Sequence, residues 1–404
     1  MKLPIYVKNC IELLESAGYS AYAVGGAVRD GLLGIEPSDW DVTTSARPEE
    51  ILSVFEGYRT IPTGIKHGTV TVLFDGEDGG HYPIEITAYR IDGEYRDSRH
   101  PESVCFSRDV SDDLSRRDFT VNAMAYNEKE GVVDLFGGRD DLQNRIIRAV
   151  GDPEKRFSED ALRILRAFRF SAQLGFEIEP KTLEAASVCS HLLSNIARER
   201  IGIEFKKLIS SRGASYSLKK MIDGGVWYEI FKLPAPNNFE IEHISTLSDG
   251  NFATRLSILV AHLDNEEIEE LFDSLRLSND EKKLVMRLNK IGLFAIVCMG
   301  RENETDARRF LHLWGDILTP ALEVLHFWMG DDTKFEELII EEAKKRRPLT
   351  ISSLEVKGSD ILPLCEGDHK KVGLTLKYLL DRVIENPELN EKEKLIEIAK
   401  KNLS

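Results

Sequence analysis

The segment Asp39-Trp40-Asp41 sets two carboxylates two residues apart. On an extended strand, positions i and i+2 project to one face, so both acids stand side by side. Like charges at that spacing repel unless a cation lies between them. A hard divalent ion with oxygen ligands, Mg2+ in particular, meets that need and keeps sites open for substrate phosphates. Upstream, Val24-Gly25-Gly26-Ala27-Val28-Arg29-Asp30 follows an apolar strand and opens a helix. Glycines there let backbone N–H groups approach an anion, and Arg29 adds a cation. An anion cradle beside a carboxylate pair is the division of labour that two-metal phosphoryl or nucleotidyl transfer requires. Glu85, flanked by Ile84 and Ile86 on an alternating run, is the candidate third carboxylate. Taken singly, each feature also suits something plainer: an ordinary turn, an exposed loop with two acids, a solvent-facing strand residue.

These residues need strands to hold them, and the first third of the chain supplies the patterns. Ala21-Tyr22-Ala23-Val24 is an apolar strand behind a helix over 7–17. Thr69 to Phe74 and Ile84 to Tyr89 read as strands, joined by Asp75-Gly76-Glu77-Asp78-Gly79-Gly80 as a hairpin. From about residue 152 the apolar residues recur at three- and four-residue spacing, so helices dominate. The expected fold is an α+β head with a small mixed, twisted sheet, followed by an all-helical neck, body and tail. The segments are head 1–138, neck 139–215, body 216–340 and tail 341–404.

Glu159 to Phe170 reads as one helix. Ala161, Ile164, Leu165 and Phe168 make a narrow apolar stripe, with Glu159, Asp160, Arg163, Arg166 and Arg169 on the opposite arc. That arc suits a solvated, ion-paired face. It also suits a base-reading surface, because cytosine and adenine both present an amine donor beside a ring-nitrogen acceptor. A carboxylate accepts from the amine and a guanidinium donates to the ring nitrogen. Uracil and guanine reverse that order.

Composition narrows the classes. The 404 residues carry 53 Lys and Arg against 69 Asp and Glu, a net charge of −16, which argues against a nonspecific nucleic-acid binder. Local cation clusters can still line a groove on an acidic body. No apolar run reaches the length of a membrane span. The five scattered cysteines exclude a disulfide framework or CxxC zinc site, and a cytoplasmic location is expected.

Several motifs occur in a family order: Gly25-Gly26-Ala27-Val28-Arg29-Asp30, Leu32-Leu33-Gly34, Asp39-Trp40-Asp41, Arg116-Arg117-Asp118 through Ala125, Asp134-Leu135-Phe136-Gly137-Gly138, and Arg156-Phe157-Ser158-Glu159-Asp160-Ala161-Leu162-Arg163. They resemble the class II tRNA nucleotidyltransferases and bacterial poly(A) polymerases of the polymerase β-like superfamily, over roughly residues 20 to 210. A weaker likeness to the tail of bacterial CCA-adding enzymes runs from Pro348-Leu349-Thr350-Ile351 to Glu385-Asn386-Pro387-Glu388-Leu389. The resemblance implies addition of C, C and A to tRNA 3′ ends from CTP and ATP. Related activities in the same family are A-addition and poly(A) synthesis; a catalytically inactive tRNA-acceptor binding protein is the alternative of another class. No DNA, membrane or obligate protein partner is implied.

By that resemblance Arg117 and Asn122 contact the nucleotide, and Glu159, Asp160 and Arg163 act as the template for the incoming base. Arg166 and Arg169 lie near the nucleotide. Arg116, Arg117 and nearby Asp112, Asp113 and Asp118 also suit a surface ion-pair cluster. The polar segment from Asp92 to Pro101 matches a loop needed for adding the final A. Glu199 to Leu208, an amphipathic helix, supports the template helix. Two basic islands, Lys344-Lys345-Arg346-Arg347 and Lys370-Lys371, are the RNA-binding candidates. Gly367-Asp368-His369 opens a helix where a phosphate could sit, although this stretch departs from the family's Gly-Pro-rich turn.

Overall fold

The computed structural model describes residues 1–61, 64–75, 80–92, 104–247, 251–300, 303–330 and 333–403. Beyond Asp92, the segment expected to serve A-addition lies outside the described residues, as does most of the turn between the two long strands. The chain folds into two compact units, Met1–Ser245 with Asp264–Leu277, and Thr246–Leu263 with Ser278–Ser404.

The first unit opens with α1 (Ile5–Ser16), which buries Val7, Cys10, Ile11 and Leu14 at helical spacing. There follow β1 (Ala21–Val24), α2 (Gly26–Leu32), β2 (Asp41–Thr44), α3 (Pro48–Val54), β3 (Arg59–Ile61), β4 (Thr69–Asp75) and β5 (His81–Ala88). A small antiparallel pair, β6 (Arg90–Asp92) and β7 (Val104–Phe106), leads to α4 (Val110–Ser115), β8 (Met124–Asn127) and β9 (Gly131–Asp134). The sheet order is β3-β4-β5-β2-β1-β8-β9. Among its described pairings β2 with β5 is parallel and the others are antiparallel, so the sheet is mixed as expected. Alternation fixes its faces: Val42, Ile84 and Ile86 are fully buried while Asp41 and Glu85 are exposed.

Helices take over beyond α5 (Gly138–Asn144): α6 (Pro153–Glu159), α7 (Leu162–Leu174), α8 (Pro180–Val188), α9 (Arg198–Ile209), α10 (Ala214–Asp223), α11 (Val226–Phe231) and α12 (Asn238–Thr246). One two-residue parallel pair, Ile146–Ile147 with Glu177–Ile178, interrupts the helical run. The second unit is helical, including α13 (Phe252–Leu259) and, after α14 (Asn265–Leu275) in the first unit, α15 (Asn279–Cys298) through to α20 (His369–Glu385) and α21 (Lys392–Leu403). No helix among the described residues is long and apolar enough to cross a membrane.

Two local expectations are corrected. Glu159 to Phe170 is not one helix. The chain breaks at Asp160, which has extended dihedrals (φ −141°, ψ 102°) between α6 and α7. The physical reason is a local Asx turn: the Asp160 side chain accepts the Leu162 N–H at 3.0 Å, taking up a donor that a continuous helix would have satisfied from its own backbone. The polar arc is not solvated either, since Arg163 and Arg169 are buried. The apolar stripe stands as expected, with Ala161, Ile164, Leu165 and Phe168 fully buried.

The start of α20 is the second correction. Asp368 already fills it, accepting the N–H groups of Lys370 and Lys371 at 2.8 and 3.2 Å. Its carboxylate takes up two of the N–H groups that a phosphate would use there.

Candidate active site

The parallel β2–β5 pairing sets Asp41 and Glu85 opposite each other as Cα partners. In-register neighbours on adjacent strands project to the same face, about 5 Å apart at the backbone. Asp39 lies just before β2, and Ser38 Oγ donates to its carboxylate at 3.0 Å. Although Asp41 is open to solvent, its carboxylate is crowded by protein. Burial raises its pKa first, then the charge of Glu85, with Asp39 adding to the effect and Arg117 opposing it. Three acids share one field, and Arg117 is a cation acting on it.

Among the described residues no three His, Cys, Asp or Glu side chains converge as a closed metal cage. An ion that keeps open sites for phosphate oxygens needs only a pair of carboxylates from the protein. Glu85 and Asp39 both repel the Asp41 carboxylate, and a bound divalent cation would relieve that like-charge crowding, so this donor set fits one.

Arg117 also ties the acids to the glycine turn. Gly25 has φ +71°, a region that suits glycine, and a Cβ there would stand 3.0 Å from Arg117 Nη1. Arg117 donates to Asp113 at 3.1 Å, and Arg116 donates to the same carboxylate at 2.6 Å. Asp113 is fully buried. Burial alone would raise its pKa, but Arg117 and Arg116 outweigh it and the net shift is downward. Of the three acids expected around Arg116 and Arg117, then, Asp113 takes both.

Arg29 is turned inward. It is buried, donates to Asn122 Oδ1 at 2.8 Å and to Asp30 at 2.8 Å, and lies over the Phe170 ring. Asn122, also buried, donates in turn to Asp118 at 3.1 Å. Asp118 accepts from Arg166, whose Nη2 lies 2.6 Å away. Arg169 Nε is 2.6 Å from Glu204 on α9, and Arg169 stacks 3.8 Å from the centre of Phe170. Arg29, Asn122, Asp118, Arg166, Glu204 and Arg169 therefore form a continuous polar chain wrapped around one aromatic ring. It runs from the glycine turn beside the sheet to helices α7 and α9.

The expected base-reading residues lie at the α6–α7 break. Arg163 Nη1 donates to Glu159 Oε2 at 2.8 Å and to the Arg156 carbonyl, and Nη2 donates to the Arg116 carbonyl at 2.9 Å. Asp160 accepts from Arg200 Nη2 at 3.0 Å. The two are held separately rather than paired as helix neighbours. Of the tail cations, Lys345 pairs with Glu342 and Glu304, and Arg347 lies 3.8 Å from Glu388. Lys344, Arg346, Lys370 and Lys371 are exposed.

Glu204, Phe170 and Arg200 went unsingled by sequence reasoning. Asp113 was named there as one acid of a surface cluster, and its spacing of three and four residues before Arg116 and Arg117 is the signal that pairs it with both. Glu204 and Arg200 were not findable, because their partners on α7 and at its entry are about 40 residues away in sequence.

The sequence of residues 21–148 matches the poly A polymerase head domain, and residues 175–237 match the family described as the probable RNA and SrmB-binding site of polymerase A. The CCA-adding enzyme of Ligilactobacillus salivarius is 36% identical over 99% of this chain and 98% of its own length. That of Streptococcus suis is 43% identical over 70% of this chain and 69% of its own length. The crystal structure of the Bacillus stearothermophilus CCA-adding enzyme in complex with CTP superposes with a TM-score of 0.79 at 32% identity, covering 100% of this chain and 99% of that one. The chain belongs to the CCA-adding enzyme family, and it is a nucleotidyltransferase. Dependence on a divalent metal follows from that membership.

Proposed function

We propose that this enzyme adds C, C and A in turn to the 3′ end of tRNA without a nucleic-acid template, using CTP and ATP. The observation that carries the reading is the placement of an acceptor, Asp160, and a donor, Arg163, at one helix break in the unit that holds Asp39, Asp41 and Glu85. In each cycle the RNA 3′-hydroxyl attacks the α-phosphorus. The new P–O bond forms as the bond to pyrophosphate breaks, and the hydroxyl proton passes to a carboxylate, which we assign to Glu85. Asp39 and Asp41 would hold the divalent ions, with Mg2+ the fitting choice for oxygen ligands and triphosphate. Bound metal would lower the charge on the transferring phosphate and activate the hydroxyl.

The remaining residues position the nucleotide. The Gly25–Gly26 turn admits the phosphates close to backbone, and Arg117 lies beside that turn and beside the acids. Arg29, Asn122, Arg166 and Arg169 act from beneath as the polar chain around Phe170. Asp160 accepts from the amine of C or A, and Arg163 donates to the ring nitrogen. Glu159 holds Arg163. The four-part division into head, neck, body and tail remains our functional partition. Within it Lys344 to Arg347, with Lys370 and Lys371, meet RNA phosphates, and the segment from Asp92 to Pro101 serves the switch to A. The cell compartment that fits is the cytoplasm.

The test is incubation with tRNA transcripts ending before C, after C and after CC, with each NTP alone and in combination. Ordered C, C, A addition that stops is expected. A-addition alone, a growing A tract or no transfer at all would each overturn the reading, in favour of an A-adding enzyme, a poly(A) polymerase or an inactive binding protein respectively.

A further inference from the structure

Asp160 and Arg163 are three residues apart, yet their side chains are anchored to different parts of the protein. Arg163 is fixed by Glu159, the Arg156 carbonyl and the Arg116 carbonyl, which belong to α6 and to the turn after α4. Asp160 is fixed by the Leu162 N–H at the start of α7 and by Arg200 in the first turn of α9. A carboxylate offers about four acceptor positions. Two are used here, one for each anchor, which leaves acceptor capacity for an incoming amine.

We propose that Arg200 is a specificity-determining positioning residue: by holding one oxygen of Asp160 it aims the other acceptor positions at the amine of the incoming base. The inference rests on Asp160 being the base-reading acceptor. Arg200 does not touch the base in this role; it acts through Asp160. Without it, the carboxylate keeps only the Leu162 N–H and is free to turn about its terminal torsion, which is broad for Asp.

A plain strut between α7 and α9 is a poor account of the same contact. Those helices pack directly and already carry the Arg169–Glu204 pair at 2.6 Å, backed by Arg166 at 3.8 Å from Glu204. Phe205 and Leu208 of α9 are fully buried as well. The Arg200 contact is also made through one nitrogen only. Among the described residues its buried Nη1 has no hydrogen-bond partner. A contact that leaves Asp160 acceptor capacity unspent suits a reader.

The experiment measures kcat/KM for single incorporation of CTP and of UTP on tRNA transcripts lacking CCA. Wild type is compared with Arg200→Ala, Arg200→Gln, Asp160→Ala and the Arg200→Ala/Asp160→Ala double variant, with thermal unfolding of each. Losing one charge-assisted orienting bond should cut the C-over-U ratio roughly tenfold in Arg200→Ala. Arg200→Gln, which retains a neutral donor, should fall between that and wild type. The double variant should discriminate no worse than Asp160→Ala alone. Equal slowing of CTP and UTP in Arg200→Ala, with the ratio intact, overturns the proposal. So does a double variant whose loss is the product of the single losses. If Arg200→Ala fails to fold, Arg200→Gln is judged by the same criteria. An Asp160→Ala variant that keeps the full ratio overturns the base-reading assignment itself. Loss of the ratio in Asp160→Ala but not in the Arg200 variants overturns this inference alone.

Discussion

Asp118 lies beneath Arg166, its carboxylate 2.6 Å from the Arg166 guanidinium, and it also accepts from Asn122. Burial works to raise the pKa of Asp118, but the Arg166 charge and these hydrogen bonds bring it down to about 2. The folded value is depressed below the unfolded one, so the stabilising contribution is full above pH about 4 and is lost as pH falls toward 2. A shift of this size corresponds to about 2 kcal/mol. Asp118→Asn should therefore flatten the acid side of the stability curve between pH 5 and 2, measured by urea unfolding. A mutant curve parallel to wild type through that window would show that Asp118 is not the titrating group.

Removing either carboxylate ahead of or at the start of β2 should stop chemistry and spare binding. Asp39→Ala and Asp41→Ala are expected to lose transfer by several orders of magnitude while tRNA affinity changes little. The reason is that a metal clamp stabilises the transition state more than the ground state. Filter binding and single-turnover incorporation separate the two. Substantial turnover in either variant would remove that residue from the metal site.

At Gly25 the backbone sits at φ +71° with Arg117 Nη1 3.0 Å from where a Cβ would be. Gly25→Ala should cost about 1 to 3 kcal/mol through backbone strain, because its ψ of −135° lies outside even the left-handed helical region, and should displace Arg117. The expected kinetic signature is a raised KM for both CTP and ATP. An unchanged KM would mean that the turn does not approach the nucleotide.

The tail cations divide by their partners. Lys370 and Lys371 are exposed at the start of α20, whereas Lys345 is paired with Glu342 and Glu304. Lys370→Ala with Lys371→Ala should weaken all tRNAs about equally and lower the salt dependence of binding, since phosphate contacts release counterions. Lys345→Ala should change affinity less, because its charge is already neutralised. The opposite ranking in a salt titration would place the RNA on the other island.

The sheet and its acids were legible because period-two alternation records which face is buried. Ile84 and Ile86 inward with Glu85 outward is a local pattern, and the structure repeats it. The break at Asp160 was not legible as a break. Ser158-Glu159-Asp160-Ala161 contains no Gly or Pro to stop a helix, and the apolar stripe passes through it at the right spacing. What ends α6 is the Asp160 side chain bonding the backbone two residues on, a competition that propensity leaves open. The burial of Arg163 and Arg169 was hidden for a different reason. Charged residues on a polar arc are normally solvated, and only the tertiary arrival of Glu204 on α9 and of the Arg116 carbonyl makes burial affordable here.

The parallel β2–β5 contact has a consequence for the order in which the protein is made. Antiparallel neighbours joined by a short turn can pair as soon as they are synthesised, but a parallel pair must wait for the chain to loop back. Asp41 meets Glu85 only after β3 and β4 have been laid down and β5 has crossed to the far side of β2. β1 in turn gains its second neighbour only with β8. A nascent chain that has emerged as far as β4 holds both members of the Asp39–Asp41 pair but not the strand that sets Glu85 beside them. The enzyme's carboxylate constellation is thus incomplete until β5, which ends at Ala88, has left the ribosome.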